Sequence, residues 1–131
     1  MAYLGIIIEQ SLKDASVMHQ FTTLAEKWYG SWRFLLVSVP EEELERKMKT
    51  LQDHMINIAE DCWYAHFFQD ETLYVVYQDA VFRTTLSPDD WDEPVRYGLS
   101  HNVPIEQLDF KPRTVDDACV MFGLDREAIK G

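Results

Sequence analysis

The chain has 131 residues, 47% hydrophobic and 13% aromatic, enough to build a core and too apolar to stay disordered. Twelve Lys and Arg stand against 23 Asp and Glu, a net charge of −11. That balance argues against nucleic acid as a partner, because phosphate-backbone affinity comes from basic side chains that displace counterions.

The first residues, "MAYLGIIIEQSLKD", lack a basic leader, and their apolar run is too short to span a membrane. The expected location is the cytoplasm, without membrane contact. No repeat, low-complexity tract or linker interrupts the chain. A single domain over residues 1–131 is expected, with 113–131 as a helical C-terminal extension.

"AYLGIIIE" reads as a buried strand, a continuous apolar run rich in β-branched residues. "ASVMHQFTTLAEKWYG" supports two readings. Val17, Phe21, Leu24 and Trp28 make a helical stripe, whereas Val17, His19, Phe21 and Thr23 alternate as a strand does. "SWRFLLVSV", Ser31 to Val39, is a strand.

"PEEELERKMKTLQDHMINIAEDC", Pro40 to Cys62, predicts one long helix. Pro40 suits its first position, and Glu41, Glu42 and Glu43 complement the helix dipole. Leu44, Met48, Leu51, Met55, Ile58 and Cys62 form one apolar stripe. Glu42–Arg46, Glu43–Lys47 and Glu45–Lys49 are expected pairs on the wet side.

Two hairpins follow. A turn at Asp70 and Glu71 sets Phe68 opposite Leu73, His66 opposite Val75 and Tyr64 opposite Tyr77. A turn at Asp79 and Ala80 would set Phe82 opposite Tyr77. One face then carries Tyr64, His66, Phe68, Leu73, Val75, Tyr77 and Phe82. The other carries Trp63, Ala65, Phe67, Tyr74, Val76, Val81 and Arg83. A sheet with one wet face alternates apolar and polar residues. This one does not, so both faces should be covered. The long helix can cover only one.

The tail supplies candidates for the other. Ser87 and Pro88 open a helix with a Trp91, Val95 and Leu99 stripe. "VPIEQLDF" is a short turn or helix. Thr114 caps a helix that Gly123 stops, with Asp117 at the reciprocal position. "LDREAIKG" adds a last short helix. The tail is expected to cover the second face only in part, leaving the rest to a symmetric homodimer, which is the expected assembly; a protein partner is a further candidate.

Trp63, Tyr64, Ala65 and Phe67, followed by Tyr97, Gly98, Pro104, Gln107, Asp109, Phe110 and Pro112, carry a resemblance. The chain resembles a group of short, uncharacterised prokaryotic proteins with a W-Y-A-x-F hairpin and a closing Y-G-(x)-P-x-x-Q-x-D-F-x-P pattern. The match covers most of residues 1–112. The group has no assigned activity, so the resemblance implies a fold and no function. It also implies an extended Val17–Leu24. The position of His66 is usually acidic in the group.

His66 is the ionisable residue of the richer aromatic face. It is a candidate general base, with Asp109 as a nearby carboxylate, or else a histidine that hydrogen-bonds within the core. Tyr64, His66, Phe68, Tyr97 and Gln107 are candidate ligand contacts. Gln107 and Asp109 could instead close their own loop through backbone hydrogen bonds.

Cys62, Cys119 and the four histidines fall at no H-x3-H or C-x2-C spacing, so two free thiols, no metal and no cofactor are expected. No phosphate loop, G-x-S-x-G elbow or H-E-x-x-H occurs. Cys119, Gly123 and Ile129 have helix-turn-helix spacing, but from Thr114 onward four acids stand against two bases, the wrong balance for a DNA-reading helix.

The expected fold is α+β. An antiparallel sheet of about five or six strands carries one long helix on one face and short C-terminal helices on or beside the other. A ferredoxin-like sandwich is the alternative. The expected function is a non-catalytic binding or interaction module. The alternatives are a small enzyme with its site around His66, and a transcription-associated protein using its tail.

Overall fold

In the computed structural model, which describes residues 2–59 and 61–129, strand β1 (Ala2–Ile8) lies inside a six-stranded antiparallel sheet. It pairs with β3 (Trp32–Pro40) on one side and β4 (Tyr64–Gln69) on the other. β2 (Thr22–Tyr29) forms one edge; β5 (Thr72–Tyr77) and β6 (Ala80–Thr85) complete the other side. This position explains the unbroken apolar run of β1. Tyr3 and Ile7 join the core on one face, Leu4 and Ile6 the core on the other. A strand covered on both sides has no site for a polar residue.

Helix α1 (Leu44–His54) covers the first face. Leu44, Met48 and Leu51, with Met55 just beyond, are buried with Val37, Val39, Phe67 and Val76. The helix is shorter than the expected Pro40–Cys62. Pro40 ends β3, and Glu41–Glu43 form a 3-10 turn. At the far end Met55 is extended and bridges to Leu12. The Ile56 N–H donates to the Ser11 carbonyl, and the Lys13 N–H donates to that of His54. Tertiary backbone pairing thus replaces the next helical turn. Ile58 and Cys62 then pack on the opposite core; Glu60 lies outside the described residues. The ion pairs are also rearranged. Arg46 pairs with Glu43 and Lys49 with Asp53, while the Lys47 ammonium donates to the Gln20 carbonyl.

Residues 17–24 divide between the two readings. Ala15–Gln20 is a 3-10 helix whose Asp14 cap accepts from the Ser16 N–H. The extended conformation implied by the resemblance begins only at β2. Val17 and Phe21 are both buried on the α1 side.

The β4–β5 register is as expected. The β5–β6 turn is centred on Gln78 and Asp79, so Tyr77 faces Ala80 and Phe82 faces Val75. The two-residue difference keeps every side chain on its expected face, because strand side chains alternate with period two.

The C-terminal third covers the second face. α2 (Asp92–Ser100), α3 (Val115–Phe122) and α4 (Arg126–Ile129) follow one another over it. Trp91, Val103, Leu108, Phe110, Ala118 and Phe122 are buried with Leu4, Ile6, Leu36, Phe68, Leu73, Val75 and Tyr77. The α2 stripe is rotated from the expected one. Pro94 and Gly98 are buried and Leu99 is 45% exposed, because Gly98 lets the helix approach Tyr77 closely. The Thr114 hydroxyl accepts from the Asp117 N–H, and Gly123 stops α3 at φ 66°. The last helix begins at Arg126; Lys130 and Gly131 lie outside the described residues.

Both faces of the β4–β5 hairpin are therefore covered within one chain, in an α+β fold, but the α1 side of β6 stays open, with Val81 and Arg83 exposed rather than covered as expected, because α1 reaches only as far as β5. The order of three strands, a helix, three strands and further helices is not the βαββαβ of a ferredoxin-like sandwich. Among the described residues no helix is long and apolar enough to cross a membrane.

Candidate functional site

His66 points into the second core and is 3% exposed. Its Nε2 lies 2.7 Å from the Pro112 carbonyl oxygen. A carbonyl only accepts, so Nε2 carries the hydrogen and donates. Burial pushes the imidazole down to about 4, against the smaller raising effects of that hydrogen bond and of Asp109. The ring stacks on Phe68, centroids 6.0 Å apart. His66 is thus a neutral tether between β4 and the tail, closed to a substrate in this arrangement.

The candidates fall in three places. Phe68 is buried beside His66. Tyr97 packs on Tyr77 and Phe82 at 4.6 and 5.4 Å, and its hydroxyl donates to the Asp79 carboxylate. Tyr64, Gln107 and Asp109 instead meet at one cleft of about 290 Å3.

Each wall of the cleft has a local cause. Tyr29 pairs with Trp32 across the β2–β3 turn, where Gly30 takes φ 60°, as the first central residue of a two-residue hairpin loop requires. This places Tyr29, Trp32 and Phe34 along one side. Cys62, Trp63 and Tyr64 enter from the start of β4. Gln107, Asp109 and Lys111 come from the segment after α2, and Met121 from α3. The Tyr64 hydroxyl donates to the Gln107 carbonyl, tying the tail to the sheet. Phe110, at φ 48°, is held by edge contacts to Tyr64 and Trp91 at 5.2 and 4.9 Å. Its left-handed backbone turns the chain there. Asp109 and Lys111 on either side of it are exposed.

Trp32 and Trp63 meet edge to face at 5.2 Å, and Tyr29 and Phe34 do so at 5.1 Å. A second, more polar recess of about 350 Å3 shares Trp32, Trp63 and Gln107 and adds Asp61, His101 and Asn102. The Trp63 indole N–H is buried and has no acceptor among the described residues. Cys62 is a free thiol. Burial pushes it up to about 11, with help from Asp61 and Asp79. It is protonated at neutral pH and a poor nucleophile.

The sequence marks Tyr64, Gln107 and Asp109 as candidates but not Tyr29, Trp32, Phe34, Lys111 or Met121. The available signal was "WYGSWRF", four aromatics packed around one glycine turn. Met121, on α3, had no such mark. Comparison with protein-family models, with curated proteins and with solved structures found no match to this chain.

Proposed function

We propose that the protein is a non-catalytic binding module that holds a small ligand in the cleft between the β2–β3 hairpin and the C-terminal segment. The cleft carries the reading. It is a concave, mostly apolar site with a few polar groups at its rim, the usual form of a small-molecule site. Trp63, Tyr64, Gln107 and Asp109, four of the residues that carry the sequence resemblance, converge there.

The other readings have less to stand on. A reaction at His66 would need the tail to leave the sheet, and the Cys62 thiol has no depressed pKa to activate it. In the tail, Ala118 and Phe122 are committed to the core and Arg126 is paired with Asp116. The expected homodimer rested on an uncovered second face. That face is covered by the chain itself, so the proposed binding unit is a single chain. The proposed compartment is the reducing cytoplasm, in keeping with two free thiols.

NMR of the four tryptophan indole N–H groups tests the reading. Small aromatic and alkylammonium fragments should shift the Trp32 and Trp63 signals and leave Trp91, buried against Phe110, unmoved. No saturable shift at Trp32 or Trp63 with any fragment overturns it.

A further inference from the structure

Resting on that reading of the cleft, we infer that its ligand is a small organic cation bearing an alkylated ammonium group. The group would lie against Trp32, Trp63 and Tyr64, with Asp109 as its counter-charge. Several of the protein's other aromatic rings carry a cation of the chain itself. Lys47 Nζ lies 5.6 Å from the centre of the Phe21 ring, and the Arg83 guanidinium 5.9 Å from that of Tyr74. The Arg113 guanidinium lies 4.9 Å from Trp91, and Lys27 Nζ 5.8 Å from Tyr29 at the outer edge of the cleft. The chain therefore caps these aromatic rings with its own cations. Trp32 and Trp63 have no such cap among the described residues, although their edge-to-face contact sets two indole surfaces at a steep angle in one cleft.

Ring quadrupoles attract cations, and a fully alkylated, quaternary ammonium suits them best, because it is weakly hydrated and has no N–H that needs an acceptor. The charge balance has the same sign. Asp109 lines the aromatic cleft and Asp61 the recess beside it, against the single lysine Lys111. Asp109 forms no salt bridge among the described residues, and the chain's net charge of −11 draws cations inward. The volume of about 290 Å3 suits a free small molecule.

Choline and its neutral isostere 3,3-dimethylbutan-1-ol are the probes, titrated into the full chain with the indole N–H signals as readout. Choline should shift Trp32 and Trp63 saturably and bind at least tenfold tighter than the isostere. Asp109→Asn should weaken choline at least threefold, and Lys111→Gln should tighten it. Both positions are exposed, and unchanged urea midpoints will show that the variants are folded. Equal affinity for the two probes overturns the inference, as does a reversal of the two charge effects. Binding of indole without binding of choline also overturns it, while leaving the cleft as a binding site. A trimethyllysine peptide that binds far tighter than choline overturns the assignment to a free small molecule. If no probe binds, the cleft reading itself falls.

Discussion

Tyr77 of β5 and Gly98 of α2 meet so closely that a methyl group at Gly98 would lie 2.7 Å from the Tyr77 hydroxyl oxygen. The same methyl would lie 2.7 Å from Leu108 Cδ2. Tyr77 cannot easily withdraw, because it is fully buried and its hydroxyl donates to the Pro94 carbonyl at 2.8 Å. Gly98→Ala should therefore destabilise the fold by about 1–2 kcal/mol, the overpacking cost exceeding the roughly 1 kcal/mol gained in helix propensity. Urea midpoints measure it. A midpoint equal to or above that of the parent would mean that Leu108 and Tyr77 give way.

His66 makes stability depend on pH. Its folded value of about 4 lies below the ordinary 6.5 because the ring is buried. As pH falls through about 6.5, the unfolded chain takes up a proton that the folded chain refuses until about 4. The unfolded state holds more protons in that window, so stability falls as pH falls. About 3 kcal/mol should be lost across the window, and little changes above it. Urea unfolding at pH 7.5, 5.5 and 4.5 should show the slope, and His66→Asn should flatten it. The same slope in both proteins would show that another group is responsible.

Leu51 tests the α1 face. It is 0% exposed at the centre of the stripe. Leu51→Asp should cost several kcal/mol, enough to unfold a domain of ordinary stability, because it buries an unpaired charge. Glu45→Gln, on the exposed side, should stay within about 0.5 kcal/mol. Circular dichroism melts compare the two. Similar melting temperatures would reverse the assignment of faces.

Covering of both faces of the sheet's central strands predicts a monomer. Sedimentation equilibrium at micromolar concentrations should return the 15.4 kDa of one chain. The largest aromatic groups left in solvent are Trp28, 55% exposed, and Tyr29, 46% exposed, on the edge strand β2. Should twice that mass appear, Trp28→Glu must restore the single-chain value, or the pairing surface lies elsewhere.

What the sequence determined by itself was local and periodic. The alternation in residues 62–82 assigned each side chain to its face, and the absence of a polar face required two covering layers. The Thr114 cap and the Gly123 stop bounded α3, because both act through bonds a few residues apart. The end of α1 could not be read this way. Its apolar spacing runs on to Cys62, but backbone bonds to Ser11 and Lys13 end the helix at His54, and those partners lie more than forty residues away. His66 shows the same division. Its place on the aromatic face followed from the pleat, whereas its neutrality follows from the Pro112 carbonyl and the burial that the tail brings. The cleft belongs to tertiary structure most of all. Trp32, Trp63, Asp109 and Met121 share no local pattern, and only the packing of the tail across the sheet brings their segments together.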